Sequence, residues 1–497
     1  MAVSLLRRAL TVLMSVAFAT GSASAARAIP SLTIVELNAG TNSSMAFWGD
    51  TAVLGDKIIF GADDGVHGFE VWVADATASE PTMVKDILTG GVSDSSYPSW
   101  FTRFGDYVYF SATDGAHGYE LWRTDGTTDG TTLVKDIDDG VEYSSPSYLT
   151  VVGDTLYFVA SDGVHGQEVW MSDGTTAGTV LAADLNSTAP NTGSDGAELI
   201  AHGGDLRLRA NNGIDGGELV RISGTTVTDY DLYSGPLSSN PSQFFSHSDG
   251  YLYFQAYDLA TGVELYRANS ASGPALVQDI EVGASDSAPN DFEAFNGRIY
   301  FAAGTDANGR ELWSTDGNSV RSEADIWSGS ASSNPAELTV FGSMLYYSAD
   351  DASDRELHRF DGTTDHLVGE IYVAGSSYPG SLTPVGDALY FAATDGSTTG
   401  LARVDAASGA ISFFAPPGTS AFIGCMCSTI LKRLGGRIFA PTYNDEMGSE
   451  YSYIDEPTYA LPETNRGDFA VGGWIVFAAA LTAVAGVTLR RVESRRD

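Results

Sequence analysis

The sequence has few basic residues and few cysteines. Its 497 residues include 26 lysines and arginines against 64 acidic residues, which gives a formal net charge of −38. Such a surface repels phosphate backbones, so the composition disfavours nucleic acid and favours divalent cations or basic partners. The two cysteines, Cys425 and Cys427, are too few to staple a chain of this length.

Common catalytic motifs are missing as well. The sequence contains no Gly-x-Ser-x-Gly elbow, no His-Glu-x-x-His pair and no phosphate-binding P-loop. It also shows no helical period of useful length before its last segment. The sequence therefore favours a binding protein over an enzyme and predicts no catalytic residue and no certain cofactor.

Apolar runs occur at the two ends of the chain. Arg7 and Arg8 precede an apolar stretch and a series of small residues, which predicts a signal peptide over residues 1–28. Residues 469–489 carry no charge and are followed by an arginine-rich tail at 490–497. This pattern predicts one transmembrane helix with a cytoplasmic tail and an exported main body.

Residues 29–457 are built from one repeated unit. An acidic residue recurs at intervals of 44 to 50 residues, which is the spacing of propeller blades. The eighth unit has Gly400 where the others have the acid. The recurring acids are Glu70, Glu120, Glu168, Glu218, Glu264, Glu311, Glu356 and Glu450.

Each unit is predicted to form four short β-strands. In the third unit the apolar and β-branched runs fall at 148–152, 155–160, 167–172 and 180–185. The sequence thus predicts an all-β fold, a single large β-propeller of about nine blades, with eight blades or two smaller rings as alternatives. The strand at 32–37 matches a fourth strand, which the last unit lacks, and is predicted to close the ring.

The repeats resemble the ELWxxDGT-repeat family of bacterial secreted proteins. Residues 120–127 read ELWRTDGT, residues 168–175 read EVWMSDGT, and residues 311–317 read ELWSTDG. The resemblance implies an extracellular repeat fold without an established catalytic activity. The residues that define the repeat are Glu120, Leu121, Trp122, Asp125, Gly126, Glu168, Trp170, Asp173, Glu311, Trp313 and Asp316.

The linker at 458–468 contains the pentapeptide Leu461, Pro462, Glu463, Thr464 and Asn465. Together with the apolar span and the basic tail, it resembles the LPxTG-like sorting signal of sortase-anchored surface proteins. The resemblance implies a sortase-like partner, cleavage after Thr464 and attachment to the cell wall, although Asn465 stands where that family has Gly. An uncleaved membrane protein with a single span is the alternative.

Six carboxylates in the first three units are candidates for Ca²⁺ binding, because Ca²⁺ takes six to eight oxygen ligands. The alternative is that the aspartates cap Asp-Gly turns and the glutamates accept backbone N–H bonds. His67, His117 and His165 occupy equivalent places in separate units, so the sequence predicts no shared zinc site. The candidate Ca²⁺ ligands are Asp64, Glu70, Asp114, Glu120, Asp162 and Glu168.

These patterns predict a monomeric, acidic β-propeller, anchored at the cell surface, that binds an extracellular glycan or protein through loops that vary between the units. One alternative is a propeller enzyme that acts on an extracellular glycan or polymer. Another is a surface protein that Ca²⁺ stabilises.

Overall fold

The fold was analysed in a computed structural model. It describes residues 32–35, 37–38, 44, 51–76, 78, 80–91, 94–406, 409–414, 432–434, 437–444 and 448–455. All of these residues belong to one compact unit, Met1–Glu456. They form no helix long and apolar enough to cross a membrane. The predicted signal peptide, sorting motif and transmembrane helix lie outside the described residues.

All regular elements of the described residues are β-strands, and they form nine four-stranded antiparallel sheets, here called blades. Eight of the blades consist of four consecutive strands each. The first strand of the chain, β1 (Leu32–Val35), belongs to the ninth blade. The prediction of an all-β propeller with four-stranded blades is confirmed.

The strand bounds of the first four blades follow. Blade 1 has β2 (Ala52–Leu54), β3 (Lys57–Asp63), β4 (Phe69–Asp75) and β5 (Thr82–Lys85). Blade 2 has β6 (Ser99–Phe104), β7 (Tyr107–Thr113), β8 (Tyr119–Thr124) and β9 (Thr132–Lys135). Blade 3 has β10 (Ser147–Val152), β11 (Thr155–Ser161), β12 (Gln167–Ser172) and β13 (Val180–Ala183). Blade 4 has β14 (Ala197–His202), β15 (Asp205–Asn211), β16 (Gly217–Ser223) and β17 (Thr226–Tyr230).

The next four blades continue the same order. Blade 5 has β18 (Ser242–Ser246), β19 (Leu252–Asp258), β20 (Gly262–Ala268) and β21 (Ala275–Gln278). Blade 6 has β22 (Asn290–Phe295), β23 (Arg298–Thr305), β24 (Gly309–Thr315) and β25 (Val320–Ala324). Blade 7 has β26 (Ala336–Phe341), β27 (Met344–Asp350), β28 (Arg355–Phe360) and β29 (Asp365–Gly369). Blade 8 has β30 (Gly380–Val385), β31 (Ala388–Thr394), β32 (Thr399–Asp405) and β33 (Ile411–Phe414).

Blade 9 combines the two ends of the repeat array. It contains β34 (Lys432–Leu434), β35 (Arg437–Asn444) and β36 (Gly448–Asp455), and β36 pairs with β1. In this antiparallel pair Leu32 lies opposite Ile454, and Val35 lies opposite Tyr451. A strand from the start of the chain thus covers a sheet edge that would otherwise be open.

Apolar side chains fill the space between neighbouring blades. Ile59 and Val71 of blade 1 pack in one cluster with Phe110 and Trp122 of blade 2, and all four are buried. The second and third strands are covered on both faces in this way, which explains their nearly continuous apolar sequences.

The first strands of blades 2 to 8 share an irregularity. In blade 3 the pairing of β10 with β11 shifts between Ser147 and Thr150. The residue in the shift, Tyr148, has a φ of 54°. Left-handed backbone is uncommon for residues other than glycine, so the bulge places a conformational demand on this position in every copy.

The loops lie on two rims of the propeller. All four strands of a blade alternate in direction. The hairpin loop between the second and third strands therefore lies at the same end of the strands as the crossover to the next blade. We call this end of the blades the crossover rim. The opposite end, the turn rim, carries the turns that join the first strand to the second and the third to the fourth.

Candidate binding surface

The recurring glutamate connects the third strand to the crossover that leaves the blade. Oε2 of Glu120 accepts a hydrogen bond from the backbone N–H of Ile137 at 2.8 Å and from Oγ–H of Ser144 at 2.6 Å. Oε1 accepts a third bond, from the backbone N–H of Ser144 at 3.1 Å. The carboxylate therefore holds both the end of the fourth strand and the crossover.

The same arrangement recurs in blades 1 and 3 to 7. In blade 1, for example, Glu70 accepts from the backbone N–H groups of Ile87 and Ser96. Blade 8 has Gly400 instead, and the crossover after blade 8, at 415–431, lies outside the described residues. The other glutamates that accept backbone bonds from their crossovers are Glu168, Glu218, Glu264, Glu311 and Glu356.

Burial changes the acidity of these carboxyl groups. Burial raises the pKa of Glu120 to about 7, although the hydrogen bonds from Ser144 and Ile137 act in the opposite direction. Burial raises the pKa of Glu356 to about 7 in the same way. The glutamates are thus hydrogen-bond acceptors inside the fold and are shielded from solvent.

The aspartates of the hairpin loops serve a separate purpose. Oδ1 of Asp64 accepts from the backbone N–H groups of Val66 and His67, at 2.9 Å each. Its Oδ2 lies 2.7 Å from Nδ1 of His67. Asp114 with His117 and Asp162 with His165 repeat this loop at 2.8 Å and 2.7 Å.

The six proposed Ca²⁺ ligands are therefore engaged in intramolecular hydrogen bonds. The aspartates bond within their own loops, and the glutamates bond to their own crossovers. Each histidine contacts the aspartate of its own hairpin. Ca²⁺ binding by these carboxylates stays a prediction, and the melting temperature in CaCl₂ and in chelator tests it by ligand linkage.

A cluster of three carboxylates that the sequence analysis did not indicate lies at blade 7. Asp354, Glu356 and Glu370 each place an oxygen within 4.8 Å of the other two. Asp354 stands two residues before the recurring glutamate, where blades 1 and 2 have Gly68 and Gly118. Aligning the units by sequence reveals Asp354, but only the structure brings Glu370 to the other two carboxylates.

The tryptophans of the repeat pack between blades. Trp122 lies among buried residues of blade 1, and Trp170 packs against Leu121 and Val134 of blade 2. Trp313 is half-buried against Ile280 and Leu265 of blade 5. These rings support the fold and are not open to a ligand.

The DGT segment forms the turn between the third and fourth strands and docks it on the preceding blade. Oδ1 of Asp125 accepts from the backbone N–H and the hydroxyl of Thr127. The hydroxyl of Thr128 donates to the backbone carbonyl of Val84 in blade 1 at 2.7 Å. Asp173 and Thr176 make the equivalent contacts one blade further on.

The exposed apolar side chains are distributed unevenly. Four exposed apolar residues lie on the fourth, outermost strand of a blade, and they are Val180, Val227, Leu276 and Leu367. None of the described residues in the turn-rim loops is an exposed large apolar residue. Those in the hairpin loops, in the crossovers or at the start of an inner strand, all at the crossover rim, are Val66, Tyr97, Val141, Tyr143, Tyr148, Val164, Ile214, Leu237, Leu259, Val282, Trp327, Val373 and Tyr378.

The hairpin tips show this asymmetry most clearly. Val66, Val164, Ile214 and Leu259 occupy the tips in blades 1, 3, 4 and 5, and each is more than half exposed. Their restriction to one rim, and not their exposure alone, distinguishes these residues from apolar side chains scattered over a surface.

No family model matches the chain, and no curated protein sequence matches it. Among solved structures, the chain is similar to a prolyl endopeptidase, with 10% identity, a TM-score of 0.43, and coverage of 80% of this chain and 54% of that one. It thus spans about half the length of that relative. It is also similar to the β-propeller domain of the Trilobed protease from Pyrococcus furiosus, with 9% identity, a TM-score of 0.33, and coverage of 66% and 97%. A dihydro-heme d1 dehydrogenase has 14% identity, a TM-score of 0.42, and coverage of 75% of each chain.

Proposed function

We propose that the protein is a binding scaffold of the cell surface, and that it binds an extracellular glycan or protein through the crossover rim of blades 1 to 5. The observation that carries the proposal is the placement of exposed apolar side chains on that rim. The residues of the repeat motif serve the fold, which leaves binding to the loops that differ between the units.

The surface charge narrows the choice of ligand. With a net charge of −38, the protein attracts basic partners, repels anionic ones and leaves the approach of neutral ones unaffected. Covering the apolar tips with a ligand stabilises the complex further, by about 25 cal/mol for each Å² of apolar surface removed from water.

Anchoring at the cell surface is the second half of the proposal. The pentapeptide at 461–465, the apolar span at 469–489 and the arginine-rich tail support export followed by attachment through a sortase-like enzyme. Thr464→Ala should then release or mislocalise the protein, and unchanged wall attachment of that variant would contradict the sortase step.

Retention of the purified full-length protein on immobilised cell-envelope material tests the binding surface. Val164→Asp, Ile214→Asp and Leu259→Asp together should reduce retention at least about tenfold, equivalent to about 1.4 kcal/mol. The matched control replaces Val227, Leu276 and Leu367 of the outermost strands by Asp. Equal loss in both triple variants would contradict a binding surface on the crossover rim.

A further inference from the structure

Five aromatic side chains lie on blades 2 and 3 and on the crossovers that lead to them. The rings of Trp100 and Tyr148 lie 4.8 Å apart between their centroids, and those of Tyr119 and Tyr143 lie 5.5 Å apart. Tyr97 stacks on the buried ring of Phe69 at 6.1 Å. We call Tyr97, Trp100, Tyr119, Tyr143 and Tyr148 the aromatic platform.

Three tyrosines of the platform, Tyr97, Tyr119 and Tyr143, are half-buried or exposed. Burial raises the pKa of Tyr119, and the phenols of Tyr97 and Tyr143 raise it further. Tyr97 is 49% exposed and Tyr143 59% exposed. Open aromatic faces of this size are therefore available to a ligand, although each ring is already supported on one side.

The fold does not require aromatic residues at these positions. Tyr97 has a φ of 45°, Trp100 of 61° and Tyr148 of 54°, so all three are left-handed, a conformation that bulky side chains rarely adopt. Apart from Tyr378 of blade 8, the equivalent left-handed positions of the repeat carry smaller or polar residues. They are Ser145, Asp195, Asn240, Ala288, Asn334, Glu198, Gln243, Asp291, Glu337 and Ser381.

The repeat thus acts as its own control experiment. Since asparagine, glutamine or serine serves the same backbone elsewhere in the ring, the left-handed backbone does not account for the aromatic side chains of blades 2 and 3. Such local conflicts concentrate where a protein has a function to perform.

The chemistry of the platform points to a neutral ligand with apolar faces. Phenol and indole rings offer flat surfaces on which the C–H face of a sugar ring can stack, while their polar ends stay solvated. The exposed carboxylate of Glu142, next to Tyr143, can accept a hydrogen bond from a sugar hydroxyl. A purely basic ligand would be attracted by the whole acidic surface and would not need rings at two blades.

We propose that the aromatic platform is a subsite that stacks on the sugar rings of a neutral oligosaccharide. The inference rests on the proposed function, because it names the ligand class of the same crossover rim. The subsite lies at blades 2 and 3 of that rim, and it binds the oligosaccharide without changing it chemically.

Calorimetric titration of the full-length protein tests the subsite. The probes are the hexasaccharides of glucose, of mannose and of N-acetylglucosamine. At least one should bind saturably and quench the fluorescence of Trp100. Its affinity should stay the same from low salt to about 1 M NaCl, where the Debye length falls to about 3 Å and attraction between exposed charges is screened.

The repeat supplies variants that the backbone tolerates. Tyr119→Gln introduces the residue that blade 3 has at this position, Gln167. Trp100→Gln and Tyr148→Gln both introduce the residue that blade 5 has at their position, Gln243. The double variant Trp100→Gln/Tyr148→Gln should still unfold in one cooperative transition, and it should bind the sugar about tenfold more weakly than the wild-type protein.

Tyr378→Asn is the matched control. Tyr378 is a left-handed, exposed tyrosine at the start of blade 8, outside the platform, and Asn334 shows that asparagine fits there. This variant should leave the affinity unchanged. An equal loss in Tyr378→Asn, or no binding of any of the three hexasaccharides, would overturn the proposal.

One further result would overturn the sugar subsite and leave the rim intact. If the platform variants weaken binding of poly-L-lysine, and salt abolishes that binding, the rings serve a basic polypeptide. Retention on envelope material that depends on Val164, Ile214 and Leu259 would still support the binding scaffold. The failure of the subsite is thereby distinguished from the failure of the proposed function.

Discussion

Gly174 of blade 3 packs directly against the phenol hydroxyl of Tyr109 in blade 2, so closely that a Cβ atom on Gly174 would overlap that oxygen. Gly174 also has a φ of 91°, in the region that favours glycine. The glycine of the DGT segment therefore meets two demands at once, a left-handed turn and a close approach between blades.

Gly174→Ala should accordingly lower the free energy of unfolding. We expect a loss of about 2–4 kcal/mol, the sum of a left-handed alanine and an overpacked contact. Thermal and urea unfolding measure the loss. Gly140→Ala is the control, because Gly140 is left-handed with φ 104° but has no atom within 4 Å of its Cβ position. Equal losses in the two variants would show that the contact with Tyr109 contributes nothing.

The recurring glutamate gives the second prediction. Glu120→Ala should destabilise the protein by about 2–5 kcal/mol, because the buried backbone N–H groups of Ile137 and Ser144 each lose their acceptor. Ser144→Ala removes only the hydroxyl and should cost less, about 1 kcal/mol. Urea unfolding of both variants checks the order, and a larger loss in Ser144→Ala would contradict it.

Stability should depend on pH through the buried glutamates. The pKa of Glu120 and of Glu356 is about 7 in the fold, above the ordinary 4.5. The folded state therefore binds more protons than the unfolded state between these values, and the free energy of unfolding falls as the pH rises from about 4.5 to about 7. Unfolding curves across that range measure the slope. Glu120→Gln/Glu356→Gln cannot titrate at these sites and should reduce it; an unchanged slope would contradict the assignment.

In each pair of a histidine and an aspartate, the two pKa values are shifted in opposite directions. The hydrogen bond that the His67 ring donates to the carboxylate of Asp64 raises the pKa of His67. Although burial acts to raise the pKa of Asp64, the hydrogen bonds from His67 and Val66 lower it. The contribution of His67 to stability is lost as the pH rises through its raised pKa, and that of Asp64 as the pH falls through its lowered pKa.

Asp64→Asn should therefore return the pKa of His67 towards its ordinary value, as measured by NMR titration of the ring protons. His117 serves as the internal control, because its own partner, Asp114, is unchanged in this variant. A pKa of His67 that does not move would contradict the pairing.

The strands themselves could be predicted from local sequence. In blade 3 the predicted strands at 155–160 and 167–172 differ from β11 and β12 by at most one residue. The fourth strand was predicted to reach Leu185 but ends at Ala183. The reason is that the backbone N–H of Leu185 donates to Glu168 and no longer takes part in the ladder.

The contacts between strands and crossovers that are distant in the sequence could not be predicted in the same way. The partner of Glu120 in the crossover, Ser144, lies 24 residues further along the chain, and the length of this loop differs between the units, with 26 residues in blade 1 and 21 in blade 4. The bulge that makes Tyr148 left-handed depends on the pairing of β10 with β11. The meeting of Tyr119 with Tyr143 depends on where the crossover leads, and only the folded ring brings such residues together.

The most direct measurement compares two triple variants of the same three blades, by melting temperature and by retention on envelope material. Glu168→Gln/Glu218→Gln/Glu264→Gln changes the repeat motif, and Val164→Asp/Ile214→Asp/Leu259→Asp changes the crossover rim. The first should lower the melting temperature and leave binding by the folded protein unchanged. The second should keep the melting temperature and lose binding. Loss of binding in the folded glutamate variant, with full binding in the rim variant, would contradict the division between a structural repeat and a binding rim.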